Sequence, residues 1–268
     1  FVFIITIFFF VIIVSFFFLF FRFFFVAVGF LLFSIYSNYS FIIKRKNLIE
    51  SVLSGVLFHG LYLGGVFYSI SIGMPTSIAA LIVTLQPILT NILSGPILNE
   101  KVTFKQWIGV LLGFLGATLV LGLDLGSKIP LLGLVATIIA LISITASTIW
   151  QKKLSYNLPL SVSNFYQAVG GCFFHILVVI FFAKPYIAFT KTFFLAMGHQ
   201  ILLVSFGAFT ILMFLIKKNS ASKTVSIFFL IPATSALMAW FFLGETLTVT
   251  DILGFLITSI GVYIATRD

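Results

Sequence analysis

An internal repeat restricts the fold more than any other feature of this chain. Offset by 145 positions, Ser77 aligns with Ser222, Ile82 with Ile227, Leu85 with Leu230 and Pro87 with Pro232. The alignment continues without a gap through Leu98 and Leu243, Glu100 and Glu245, Thr103 and Thr248, Gly109 and Gly254, Leu111 and Leu256, and Gly116 and Gly261. Both copies read P-x10-L-x-E-x2-T-x5-G-x-L-x4-G. Each is an apolar helix with an internal proline, a short polar link holding a glutamate, and a second apolar helix with two glycines seven apart. A repeat unit of about half the chain sets the architecture before any other reading.

Composition decides the solvent. Hydrophobic residues make up 61% of the chain, charged residues 8%, and the mean hydropathy is +1.27. Six acidic and fifteen basic residues cannot cover such a core in water. Runs of about 20 apolar residues between short polar links are the pattern of a polytopic helical membrane protein. The expected fold is therefore all-α, with ten transmembrane helices arranged as two inverted five-helix repeats, residues 1–125 and 130–268. The first helix ends near Ser15 and the second starts at about Arg22. The rest fall at about 51–72, 75–97, 104–123, 131–151, 160–183, 197–216, 222–243 and 249–266. Under the same offset the counterpart of the 131–151 span mostly precedes residue 1, so the first helix is expected to be truncated.

Charge gives orientation. One set of links carries Lys44, Arg45, Lys46, Lys101, Lys105, Lys152, Lys153, Lys217, Lys218, Lys223 and Arg267, eleven basic residues. The opposite set carries Arg22, Lys128, Lys184 and Lys191, which is four. An excess of Lys and Arg marks the cytoplasmic side, which puts both termini in the cytoplasm of a cell with an inner (plasma) membrane. Five spans separate each helix from its copy, an odd number, so the two halves run in opposite senses. The net charge of +9 is scattered over the links, unlike a nucleic-acid-binding face, and no nucleic-acid partner is expected. Cys172 is the only cysteine, which excludes an internal disulfide.

The stretches MPTSIAALIVTLQPILTNILSGPILNEKVTFKQWIGVLLGFLGATLVL and SASKTVSIFFLIPATSALMAWFFLGETLTVTDILGFLITSIGVYIA resemble the repeat of the EamA-type transporters of the drug/metabolite transporter superfamily. Arg22-Phe23 resembles the arginine-phenylalanine that opens the second helix in that family. The resemblance implies a carrier of amino acids, metabolites, sugar phosphates or drugs, usually working outward in bacteria. The chain departs from the family in lacking the early part of helix one, where a Trp-Gly pair is common.

Candidate lining residues are the polar groups held within apolar spans. Ser77, Thr84 and Asn91 recur every seven residues on one helix face, and Gln86 and Thr90 widen the stripe. His59 and Tyr62 come from the 51–72 span, Gln167 and His175 from the 160–183 span, and Arg22 is the repeat partner of Gln167. Ionisable groups inside a membrane are functional candidates. Against that stand packing through small polar residues, hydrogen-bonded structural histidines, and an arginine that snorkels to the interface. Pro87 and Pro232 leave carbonyls unpaired near mid-span and are candidate helix breaks or gates. Glu100 and Glu245, each just before a following helix, suit the positive helix start as caps or gate residues.

These residues point to a carrier of a small organic solute by alternating access, in the direction of export, with a midplane cavity bounded by Gln86, Asn91 and Tyr62. A flippase for a lipid-linked molecule and a non-transporting structural membrane protein are the alternatives. No metal-ligand spacing, phosphate loop or nucleophile constellation is present, so no enzyme activity, cofactor or metal is expected. The expected partners are the solute and membrane lipid, with the protein a monomer or homodimer. All six acidic residues fall at or beyond the expected helix ends, which leaves no carboxylate for a buried proton relay.

Topology is testable directly. In a Cys172→Ser background, Thr248→Cys should react with a membrane-impermeant thiol reagent on intact cells. Labelling that requires lysis would overturn the inverted arrangement.

Overall fold

The computed structural model describes residues 15–122, 128–182 and 189–267. Among these residues the chain is helical throughout, and nine helices are long and apolar enough to cross a membrane. They are α1 (Phe16–Tyr36), α2 (Arg45–Ser71), α3 (Thr76–Leu98), α4 (Phe104–Leu121), α5 (Leu131–Leu154), α6 (Leu160–Phe181), α7 (Lys191–Lys218), α8 (Ala221–Phe242) and α9 (Val249–Thr266). The expected first span lies in residues 1–14, outside the described residues.

Two expectations need correction. The second helix does not start at Arg22: the chain is already helical at Ser15, which puts Arg22 about two turns inside the described helix. No turn or capping signal interrupts the phenylalanine-rich run there, and a single charge does not end a helix. Glu50 is likewise not at a helix end. It lies inside α2, whose polar first turns begin at Arg45 and place Lys46 and Glu50 one turn apart at 4.0 Å.

The 145-residue offset that relates the sequences also relates the helices. α4, Phe104–Leu121, maps onto α9, Val249–Thr266. Smaller features recur as well. In α3 the helix is interrupted at Thr84 and Leu85, between segments Thr76–Val83 and Gln86–Leu98. In α8 a 3₁₀ turn at Ile227–Phe229 occupies the corresponding place. Proline explains both: Pro87 and Pro232 lack an N–H, and their rings crowd the carbonyl four residues earlier. Each of these helices then ends on a left-handed residue, Asn99 at φ 57° and Gly244 at φ 70°. The next helix opens with a capping box in each copy, Thr103 with Gln106 and Thr248 with Asp251.

Among the described residues the most extensive packing joins α4 to α9, a helix to its own repeat copy. It depends on glycine. A Cβ at Gly109 would lie 2.6 Å from the Gly261 carbonyl oxygen, and one at Gly261 would lie 2.7 Å from that of Gly109. Gly116 and Gly254 oppose each other in the same way, at 2.6 Å and 2.7 Å. The two backbones touch, as small residues allow between membrane helices. Val110, Ala117, Phe229, Val262 and Ala265 close over the contact as an apolar cluster. The other large contact is between α1 and α6, again repeat copies, with Val26, Ala27 and Phe30 packed with Ala168.

A side chain at the glycine contact must force the helices apart. Gly116→Leu should destabilise the protein by about 3 kcal/mol or more, since overpacking a tight contact typically costs 1–3 kcal/mol and here backbone is in the way. Thermal unfolding in detergent measures this. Gly198→Ala, where nothing beyond its own helix and chain neighbours lies within 4 Å of the new Cβ, should not lower the transition and should raise it slightly through helix propensity.

Candidate functional site

Polar side chains buried in the spans gather in two regions. The first centres on Arg22, which is only 7% exposed. Its Nε donates to Ser205 Oγ at 3.1 Å, and its guanidinium lies 5.0 Å from the centre of the Phe23 ring. Phe23 in turn sits 4.4 Å from the His59 ring and 5.8 Å from the His175 ring, nearly parallel to the latter. His175 Nε2 donates to the His59 carbonyl at 2.8 Å, which fixes the proton on that nitrogen because a carbonyl only accepts. Arg22, His59 and His175 thus share one aromatic enclosure, completed by Phe58 and Phe209.

Two π-helical segments shape this enclosure, Val56–Tyr62 in α2 and Gln200–Phe209 in α7. They correspond under the 145-residue offset. In the first, the His59 carbonyl turns to His175; in the second, the Gln200 carbonyl accepts from Ser205 Oγ at 3.0 Å. Wider turns of this kind are frequent at functional sites because they re-aim backbone groups. Nothing in the sequence announces them: VLFHGLY and ILLVSFG share little beyond apolarity.

The second region is a hydrogen-bonded seam through α2, α3, α5 and α6. Gln86 Nε2 donates to Thr148 Oγ1 at 3.0 Å. Gln151 Nε2 donates to Gln167 Oε1 at 3.0 Å and to Ser147 Oγ at 3.2 Å, while Gln167 Nε2 donates to Ser163 Oγ at 3.0 Å. Ser147 also donates to the Ser54 carbonyl at 3.0 Å. Beside the seam, the amide groups of Asn91 and Asn164 are buried without a hydrogen-bond partner among the described residues. The α5 residues of this seam did not stand out among the candidates. Their signal is a spacing: Ser147 and Gln151 stand four residues apart, in line with Ser143 one turn earlier, in a largely apolar span.

The remaining candidates are placed as follows. Thr84 Oγ1 donates back to the Ala80 carbonyl at 2.7 Å, within its own helix. Tyr62 is half-buried against the apolar cluster of Phe58, Ile144, Phe209, Met213 and Ile216. Pro87 is buried and Pro232 half-buried, both at the helix breaks. Arg22 does not snorkel, since its head group is enclosed. Glu100 does not cap the helix that follows it, a role taken by Thr103 and Gln106. Its carboxylate instead accepts from the amides of Ala221 and Ser222, at 2.8 and 3.3 Å, at the start of α8. Glu245 is exposed, with no side-chain partner among the described residues. Among those residues no group of three or more His, Cys, Asp or Glu is placed to hold a metal ion.

Nine apolar helices enclosing buried polar groups define a multi-pass membrane protein. The chain belongs to the EamA-like transporter family, whose sequence model matches residues 2–122 and 131–267. It is 26% identical over 221 residues to the uncharacterized transporter YvbV of Bacillus subtilis, covering 78% of this chain and 68% of that protein. It is 27% identical over 244 residues to a second uncharacterized transporter of that organism, YyaM, covering 82% and 74%. An uncharacterized transporter of Archaeoglobus fulgidus is 23% identical over 242 residues, covering 84% and 80%. A solved crystal structure shares the fold at a TM-score of 0.79 and 16% identity, over 94% of this chain and 88% of that one. The protein is a membrane transporter.

Asn91 separates function from stability. Replacing an unpaired buried amide by leucine removes an uncompensated polar group, so Asn91→Leu should stabilise the fold by about 1 kcal/mol. Gln86→Leu, which breaks the bond to Thr148, should destabilise it by about 0.6 kcal/mol, the typical worth of an interhelical hydrogen bond in a membrane. Thermal unfolding in detergent distinguishes the two.

Proposed function

We propose that this protein carries a small organic solute with a negatively charged group across the plasma membrane by alternating access, in the direction of export. Its two halves, residues 1–125 and 130–268, are taken as five-helix repeats of inverted topology, with both termini cytoplasmic. The eleven-to-four distribution of basic residues supports that orientation. The reciprocal glycine contacts support a two-fold relation: Gly109 meets Gly261, and their repeat copies Gly254 and Gly116 meet each other.

The observation that carries the solute chemistry is Arg22. Arginine stays protonated, and an unpaired buried charge costs several kcal/mol. Its hydrogen-bond partner, Ser205, is neutral. Among the described carboxylates, Glu50 faces Lys46, Glu100 sits on the start of α8, Glu245 lies on the link before α9 and Asp251 in the first turn of α9. A carboxylate or other anionic group on the solute supplies the missing counter-charge, and the guanidinium fork suits it. The seam at Gln86, Asn91, Gln151 and Gln167 offers neutral hydrogen-bonding groups for the remainder of the solute. With no acidic residue in the described part of the enclosure, flux is expected to follow the solute gradient or exchange.

Proteoliposomes test this with a matched panel of small carboxylic acids, their neutral amides and the corresponding amines. Uptake should favour the acids. Arg22→Lys, which keeps the charge and loses the fork, should raise KM about tenfold, and Arg22→Gln should lower kcat/KM by about 10- to 100-fold. Amides carried as well as acids, or an unaffected Arg22→Gln variant, would remove Arg22 from the solute site.

A further inference from the structure

The links after α3 and after α8 present their glutamates on the same backbone. Asn99 and Gly244 are both left-handed. The Glu100 amide donates to the Ser94 carbonyl at 3.3 Å, and the Glu245 amide donates to that of Ala239, the repeat copy of Ser94, at 3.4 Å. Both glutamates stand three residues before a threonine that opens a capping box. Local structure therefore gives the two carboxylates equal opportunities, yet they are used differently.

Glu100 is seated. Its two oxygens accept from Ala221 and Ser222, two amides that the start of any helix leaves without an internal partner. The positive end of the helix dipole adds to the attraction. The start of α8 also packs against the second half of α3 in this region.

Shifted by 145, the site that Glu100 occupies becomes the amides of Thr76 and Ser77 at the start of α3. No side chain caps that helix start, and among the described residues neither amide is hydrogen-bonded. Pro75 stands where the other copy has Ser220, whose hydroxyl accepts from Lys223. The reciprocal packing, of the first half of α3 on the second half of α8, is not developed to the same extent. Instead Leu247, from the link that holds Glu245, and Asp251, in the first turn of α9, border a cavity of about 90 Å³ beside Ala233 and Phe255. One latch is closed, and the parts of the other are present and separate.

We propose that Glu245 is the second of two alternating latches, and that its carboxylate closes on the Thr76 and Ser77 amides when Glu100 leaves those of Ala221 and Ser222. This rests on the inverted-repeat, alternating-access reading given above. In that reading the conformation described is shut at the cytoplasmic mouth by Glu100. Closure by Glu245 then belongs to the conformation open to the cytoplasm. Each carboxylate is a positioning residue that holds one mouth shut, and neither contacts the solute.

Cysteine pairs test the proposal in native membranes, in a Cys172→Ser background. A disulfide needs Cα atoms within about 7 Å, so each pair reports one closed latch. E100C with S222C and E245C with S77C should each form a disulfide under mild oxidation. In the four-cysteine variant, single molecules should contain one or the other and never both, as read by mass spectrometry of the intact chain. Adding Glu100→Gln to the E245C and S77C pair should raise its cross-linked fraction several-fold. Failure of that pair to exceed the background set by E245C with N219C overturns the proposal, as does a molecule holding both disulfides. Impermeant thiol labelling of T248C and K101C separates the two levels. Labelling from opposite sides without the second disulfide rejects only the latch, whereas labelling from one side rejects the inverted repeat as well.

Discussion

The backbone contact between α4 and α9 is the joint on which the arrangement depends. In a bilayer, lipid tails are as apolar as leucine side chains, so helices gain little by merely hiding apolar surface from lipid. What holds them is close approach, and close approach requires residues without side chains. Gly109, Gly116, Gly254 and Gly261 provide it at two places along the same pair of helices. Because those four residues are two repeat pairs, the contact is made twice by the same chemistry. Phe229 then fills the space over Gly113, with a ring carbon 2.6 Å from where a Cβ would stand, and ties α8 to the joint.

Around that joint the helices face the constraint that the hydrocarbon core contains no water to satisfy polar groups. The chain answers in three ways. Threonine and serine hydroxyls fold back on their own helices, as Thr84, Thr90 and Thr145 do. Glutamines bridge between helices, as Gln86 and Gln151 do. Cations use backbone: Lys152 is buried and its Nζ donates to the carbonyls of Ile216 and Asn219 at 2.8 and 2.6 Å, neutralising the negative end of α7. Arg22, Asn91 and Asn164 follow none of these solutions fully, which is why they bear on transport more than the satisfied groups do.

Much of this was legible in the sequence because the repeat supplies two readings of every local feature. Pro87 and Pro232 marked the helix breaks, and the glycines seven apart marked the close contact. Long-range partners were not legible. Glu100 finds its amides 121 residues away, and sequence proximity pointed instead to the next helix, already capped by its own threonine. The burial of Arg22 was hidden by uniform composition. A run of phenylalanines holds no boundary signal, and its one charge suggests a boundary that the helix does not have. The α5 stripe at Ser143, Ser147 and Gln151 was visible as a spacing, but serine is small enough to pass for packing.

The π-helical segments carry a consequence for how such a chain diverges. They sit at matching places in both halves although the residues that build them differ. Their shape does not depend on a shared set of side chains; it depends on the extra residue that a wide turn accommodates. A single-residue deletion there would restore ordinary α-helical winding without rotating the helix beyond it. In α2, Leu63 to Ser71 would stay in register with α5 and the His59 carbonyl would lose its aim at His175, whereas a deletion outside the wide turn would rotate everything beyond it by about 100°. The wide turns are therefore the places where the chain can lose a residue and keep its helix packing while losing the shape of the enclosure.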